Sequence, residues 1–350
     1  MIPFQVSISK GWLHDFGGFS FTESYYFDPY HRRKADLLID QYLLDTFKDL
    51  PIYNFESNLV QKDHVRPNFL RIGAIQPNLI LGKILGANFI FPEAADADID
   101  RSPLKHIKSA AELPSIDFLL ENPIVKKFNN QLVSAKSDTS IIRIPPFFWD
   151  LSGRATIHGI LTTGHKLVGE DFFLMMYDNP QLAHIILSWI SNAYMALIQH
   201  YASMSDMTVT SVHIGECSGC LVSLEAFKEF AQRYIEVFGQ KWPLRVHSCG
   251  FSDHLLASLT SIGNLCSLDV GSNTSVQRIR QTLGSKFLIE VAPPVEILLE
   301  GSKTEECIDW ITTTVDENAR GPMEIKCHLE PGYSLDHIRL IHQYIQIHGA

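Results

Sequence analysis

The chain has no surplus of positive charge: 39 Asp and Glu outnumber 29 Lys and Arg, leaving −10 at pH 7. Nucleic acid is therefore not an expected partner, because neutralising phosphates takes basic stripes. No run of roughly 18 apolar residues is present, so no membrane crossing is expected. The opening MIPFQVSISKGW lacks a basic segment, an apolar stretch and a small-residue cleavage site, so no secretory leader is expected. Cysteine is scarce, with six residues at irregular positions (217, 220, 249, 266, 307 and 327). That is too few for a disulfide framework in 350 residues and fits reduced thiols in a cytoplasmic protein, free for metal or catalysis. No G-x-G-x-x-G follows an early strand and no G-x-x-x-x-G-K-[ST] occurs, which removes the usual nucleotide-binding open sheets. Internal repeats and low-complexity tracts are absent as well.

What is present reads as an α/β fold. The composition, 45% hydrophobic and 19% charged, supports a large core. Short β-branched runs end at polar or glycine residues and are followed by amphipathic helices. Strands are expected at Phe4–Ile8, Ser140–Pro145, Val209–Gly215, Leu244–His247, Leu265–Val270, Phe287–Val291 and Glu324–Cys327. Asn179-Pro180, Ser223 and Ser334 suit the starts of three helices, and Gly239 suits the end of the second. Alternating strands and helices imply a parallel sheet, and the length suits one (β/α)₈ TIM-type barrel domain over residues 1–350. The aromatic-rich first 70 residues are expected to form an N-terminal elaboration over one barrel end, with a helix around Ala35–Phe47. The polar stretch Ala94–Asp117 reads as a surface connection.

Side chains at the C-terminal ends of barrel strands carry chemistry in this architecture. The expected strand ends deliver Glu216-Cys217, His247-Ser248-Cys249, Asp269, Glu290 and Cys327. His247 and Cys249 are two residues apart, so an extended backbone points both to one face. Imidazole and thiolate suit Zn²⁺, and Cys327 from a distant strand end would make a third ligand while leaving a fourth position open. From spacing alone, a packed core histidine beside a buried cysteine is the commoner outcome. Cys217 and Cys220 form a C-x-x-C, for which a loop or packing role is favoured over redox or metal chemistry. Cys266 and Cys307 occupy apolar positions and are expected to be inert. Asp269 and Glu290 are open to general acid/base work or to hydrogen bonding at the barrel mouth.

Taken in order, several segments resemble the uroporphyrinogen decarboxylase superfamily, and within it the cobalamin-dependent (corrinoid) methyltransferase branch. They are G-E-C-S-G-C, the helix start with Ser223, Glu225 and Phe227, the strand closing in H-S-C-G, and L-D-V-G. The late K-C-H-L-E-P-G-Y-S-L-D-H-I, the upstream G-E-D-F-F-L-M-M-Y-D-N-P-Q-L-A-H and the opening G-W-L-H-D-F-G-G-F-S-F are similar to the branch too. The resemblance implies a (β/α)₈ barrel in which His247, Cys249 and Cys327 hold zinc. The zinc activates a small thiol, or a pterin in some relatives, for methyl exchange with a methylcorrinoid. Glu216, and less so Asp269 or Glu290, are expected to complete the zinc shell or steer the acceptor. No corrinoid-binding D-x-H-x-x-G occurs, so a corrinoid protein or free cobalamin is the expected partner, and a homodimer is one expected assembly. The decarboxylases' R-Q-A-G-R-Y-type segment is absent, and Arg32-Arg33 do not match it. The rival expectations are a metal-free decarboxylase or lyase using the strand-end carboxylates, and a non-catalytic barrel that binds metal or corrinoid.

Overall fold

The computed structural model describes residues 2–62 and 68–349. Its strands are β1 (Phe4–Ile8), β2 (Ile52–Tyr53), β3 (Phe69–Arg71), β4 (Phe89–Ile90), β5 (Asp98–Ile99) and β6 (Ile142–Ile144). They continue with β7 (Arg154–His158), β8 (Ser211–Gly215), β9 (Leu244–Ser248), β10 (Leu265–Val270), β11 (Leu288–Val291) and β12 (Met323–Leu329). Eight of them form one sheet in the order β2-β1-β12-β11-β10-β9-β8-β7. Every pairing in it is parallel, and helices connect the successive strands from β7 to β12. This curled parallel sheet with its helices is a TIM-type α/β barrel, as expected. The strands β3 and β6 pair in parallel beside it. The chain leaving β6 then runs along the free edge of β7, where Thr156 N donates to Phe147 O at 2.7 Å and Trp149 N to Arg154 O at 2.9 Å.

The helix starts follow the expected chemistry. Asn179 Oδ1 accepts from Leu182 N at 3.2 Å and Pro180 opens the helix Pro180–Ser205. Ser223 Oγ accepts from Ala226 N and Ser334 Oγ from His337 N, at 3.2 and 3.3 Å. Each bond satisfies a backbone donor that has no partner inside its own helix. The helix Pro180–Ser205 is long and apolar enough by composition to cross a membrane, but 67% of its most apolar window is buried inside the protein. The residues before β2 form the helices Lys10–Gly17, Glu23–Phe27 and Pro29–Thr46, so the helix expected around Ala35–Phe47 begins six residues earlier, behind the Asp28 cap.

Three expectations change. Ser140–Pro145 does contain a strand, but β6 pairs with β3 and is not a stave of the main sheet. The Ala94–Asp117 stretch is not merely superficial: it contains β5, and Ala97, Ile99, Leu104 and Ile107 are buried. The stave β7 was not anticipated, because in R-A-T-I-H the inward positions are polar and no continuous apolar run marks it.

Alternation along the staves separates two environments. Val6, Ile8, Ala155, Ile157, Val212, Ile214, Val246, Leu268, Ile289, Ile325 and Leu329 are each at most 2% exposed and belong to the core under the helices. The opposite face of the same staves carries Gln5, Ser7, Thr156, His158, His213, Arg245, His247, Asp269, Glu290, Glu324 and Lys326. The barrel interior is thus polar and linked by charge, while apolar burial is concentrated between sheet and helices. Ile325→Ala should cost about 2–5 kcal/mol of stability in urea denaturation, from lost burial and the cavity left behind. A loss below about 1 kcal/mol would show that the outer layer is not the main core.

Candidate metal centre

Adjacent staves bring Cys217, His247 and Cys249 together. Gly215 of β8 stands in register with His247 of β9, and Glu216 N donates to His247 O at 2.8 Å, tying the two strand ends. Cys217 follows at the start of the 3₁₀ turn Cys217–Leu221, and Cys249 lies one residue beyond β9. Ligand atoms of these three residues lie within 4.8 Å of one another. Gly250, next to Cys249, leaves room for the neighbouring Cys220 thiol, which a Cβ there would overlap.

Asp269 of β10 stands in register with His247, and its Oδ2 lies 3.1 Å from His247 Nδ1. The contact lies off the ring N–H direction, so it is an ion pair and not a straight hydrogen bond. Arg245 Nη2 donates to the same Oδ2 at 2.5 Å, and Arg245 also pairs with Glu290. Arg245 Nη1 donates to His213 Nδ1 at 2.9 Å, and Lys326 closes on Glu290 from β12. These contacts fix the ring plane of His247 from behind.

The protons are distributed accordingly. Burial works to lower His247, but contact with Asp269 and with Cys249 outweighs it and raises the ring to about 9. The Cys217 thiol and the His247 ring, both donating to Cys249, bring that thiol down to about 4. Cys217 itself is pushed up, first by donating to Cys249 and then by burial. Burial would raise Asp269, yet the His247 contact, the His247 charge and Arg245 hold it well below the usual carboxylate range. In the metal-free protein the centre is thus an imidazolium–thiolate pair with one further thiol.

Of the expected ligands, His247 and Cys249 meet and Cys327 does not join them. The expected strand ended at Cys327, whereas β12 continues to Leu329, so Cys327 lies inside a strand. It alternates with Lys326 and His328, pairs with Val6, and is 1% exposed on the face shared with Ile325 and Leu329. Burial pushes its thiol up to about 12, which keeps it protonated. Cys217 takes the third place. The sequence signal for it was its position directly after the β8 strand end, and the missing information was that β8 neighbours β9.

The expected catalytic carboxylates are all engaged. Glu216 accepts from Leu161 N at 3.1 Å, Thr162 N at 2.8 Å and Thr162 Oγ1 at 2.7 Å. It caps the helix Ile160–Val168, whose own first residue outside, Gly159, has no side chain to do so; a Cβ there would overlap the Glu216 carboxylate. Burial pushes Glu216 up to about 7 against the pull of these hydrogen bonds. Asp269 faces His247, as already described, and Glu290 sits between Arg245 and Lys326. Cys220 donates to Cys217 O at 3.0 Å and lies outside the three-residue cluster, in keeping with a packing role. Cys307 is buried as expected, but Cys266 is exposed, with its thiol donating to Leu244 O at 2.9 Å.

Barrel and site together define an α/β barrel with a thiol–imidazole cluster at its strand ends. Neither a family model nor a curated protein matches the chain. Among solved structures, a methyltransferase from Methanosarcina mazei superposes with a TM-score of 0.61 over 100% of this chain and 94% of that chain, at 13% identity. At that identity the likeness establishes a shared fold, and the chemistry has to be argued from the residues.

Glu216→Ala should lower stability by about 1–3 kcal/mol in urea denaturation, through the lost helix cap, without changing metal content. An unchanged stability would remove the capping role. In chelator-treated protein, Cys249 should react with iodoacetamide nearly as fast at pH 6 as at pH 8. An ordinary thiol of pKa near 8.5 slows about 75-fold over that interval. Peptide mapping reads the site, and a comparable slowing at Cys249 would mean that it is no thiolate.

Proposed function

We propose that this protein is a zinc-dependent methyltransferase that exchanges a methyl group between a methylcorrinoid and a thiol acceptor, with Cys217, His247 and Cys249 as the zinc ligands. The observation that carries the reading is the convergence of two thiols and one imidazole, within 4.8 Å, at the ends of adjacent barrel staves. The donor set is of the borderline-soft kind that zinc prefers, and three protein ligands are the number found in catalytic sites with an open position. Without metal, Cys217 and His247 are the members of the cluster that hold protons. A divalent cation replacing those protons balances two thiolates, so loading releases protons. Bound zinc supplies a Lewis-acid position at which an acceptor's sulfur is held as thiolate at neutral pH.

The chain's own residues do the rest. Asp269 pairs with the Nδ1 side of His247 at 3.1 Å, so Nε2 would be the nitrogen available to a metal. Arg245, itself paired with Glu290, holds Asp269 in place. The methyl donor comes from outside, as free cobalamin or on a corrinoid protein docking at the strand ends. A metal-free decarboxylase is disfavoured, because Glu216, Asp269 and Glu290 are each occupied by a helix cap or an ion pair.

Protein prepared without chelator should carry about one zinc per chain by plasma mass spectrometry. Cys217→Ser and Cys249→Ser should lose it. Cys327→Ala should retain it and lose only about 1–2 kcal/mol of packing stability. Zinc lost from Cys327→Ala but kept by Cys217→Ser would restore the original ligand set and overturn this one. With methylcobalamin and a panel of thiols, the zinc-loaded protein should generate cob(I)alamin. Full zinc occupancy without demethylation by any thiol or pterin would favour the binding-barrel alternative.

A further inference from the structure

Beside the metal centre, the strand ends of β1, β7 and β12, together with β3 and the N-terminal helices, enclose a cavity of about 640 Å³. The volume falls within the roughly 300–1,000 Å³ of small-molecule sites. Its lining includes the aromatic residues Phe55, Phe147, Phe148 and Trp149. Phe147 is held at φ 69°, a left-handed conformation unfavourable for a bulky side chain. Such strain concentrates at binding and catalytic sites; here the Phe147 ring stacks on Tyr201 of the long helix while its carbonyl accepts from Thr156 N.

The cations in the wall are already matched. Lys10 pairs with Asp96, Arg32 lies 3.3 Å from Asp36, and Arg71 lies 3.5 Å from Glu56. An anionic ligand would have to compete with these carboxylates. Three buried polar atoms of β7 have no hydrogen-bond partner among the described residues, Arg154 Nε, Thr156 Oγ1 and His158 Nδ1, and the last two belong to residues that line the cavity. Thr156 and His158 lie two residues apart on the face that lines the cavity. Burial lowers His158 to about 4, so at neutral pH its ring is uncharged and offers one donor and one acceptor. A hydroxyl likewise serves as either. Buried polar groups without partners are rare, and a ligand is one way to satisfy them.

We infer that this cavity binds a small, flat, uncharged molecule by a donor–acceptor edge of the lactam or N-heterocycle type, set against Thr156 and His158. The pocket residue His158 stands two staves from His247 of the metal centre. His158 is in register with Gly215, and Gly215 with His247, so His158 and His247 are two strand spacings apart, roughly 10 Å. The residue between them has no side chain to fill the gap. A ligand anchored at Thr156 and His158 therefore extends across Gly215 towards the Cys217–His247–Cys249 cluster. Its assignment as the body of the methyl acceptor rests on the proposed function; the binding itself does not.

Isothermal titration and saturation-transfer NMR with uracil, nicotinamide and benzoate test this on metal-free and zinc-loaded protein. Uracil and nicotinamide should bind saturably in both forms, and more tightly than benzoate. Thr156→Val, which keeps the shape, should weaken the neutral probes about threefold to tenfold, as expected for one neutral hydrogen bond. His158→Leu should do the same, with circular dichroism confirming its fold. Tighter binding of benzoate, neutral-probe affinity unchanged in Thr156→Val, or no saturable binding would each overturn the inference. Zinc content is measured on the same samples, so a failed pocket with intact zinc binding and a filled pocket without zinc are told apart.

Discussion

The centre depends on a guanidinium inside the barrel. Arg245 points inward from β9 and joins Asp269, Glu290 and His213, and thereby the interiors of four successive staves. An arginine in that position cannot shed its charge. With His247 it holds Asp269 ionised against burial, and the Asp269 oxygen faces His247 Nδ1. Removing one partner of such a buried pair leaves the other uncompensated, which costs more than the pair contributes. The network is thus best understood as specifying geometry: it sets where His247 lies and which nitrogen it can present.

Around that network the barrel divides its labour by alternation. Outward residues of the staves are aliphatic and buried beneath the helices, and they supply the apolar burial. Inward residues are polar and meet one another. The helices reach the strand ends through caps, and one cap is borrowed: Glu216, at the end of β8, closes the helix that follows β7. The same turn then places Cys217, so helix capping and the placement of this thiol share one backbone segment. On the other side of Gly215, His158 lines the cavity with its aromatic residues, which gives the barrel a thiol-rich side and an aromatic side.

Much of this was legible in the residues. The capping side chains Asn179, Ser223 and Ser334 act within three residues of themselves, and the barrel staves from β8 to β12 announce themselves by short apolar runs. The stave β7 did not, because its inward residues Arg154, Thr156 and His158 interrupt the apolar signal. The carboxylates Glu216, Asp269 and Glu290 were identifiable as strand-end acids, but their duties depend on partners 22 to 55 residues away in the chain. Residue type alone does not distinguish a helix cap or an ion-pair partner from an acid–base group.

The sequence by itself offered His247 and Cys249 as candidates for one face, because extended backbone repeats every two residues, while leaving a packed core histidine the commoner outcome. It also determined a parallel α/β architecture, through the alternation of its elements. Only the tertiary structure decided the third member of the cluster. Cys217 qualifies because β8 is the neighbour of β9, a fact of strand order. Cys327 drops out because β12 runs two residues past it, and alternation then turns its side chain from the barrel interior to the helix layer. Local periodicity can be read along a chain; strand neighbours and the residue at which a strand stops are set by contacts between distant segments.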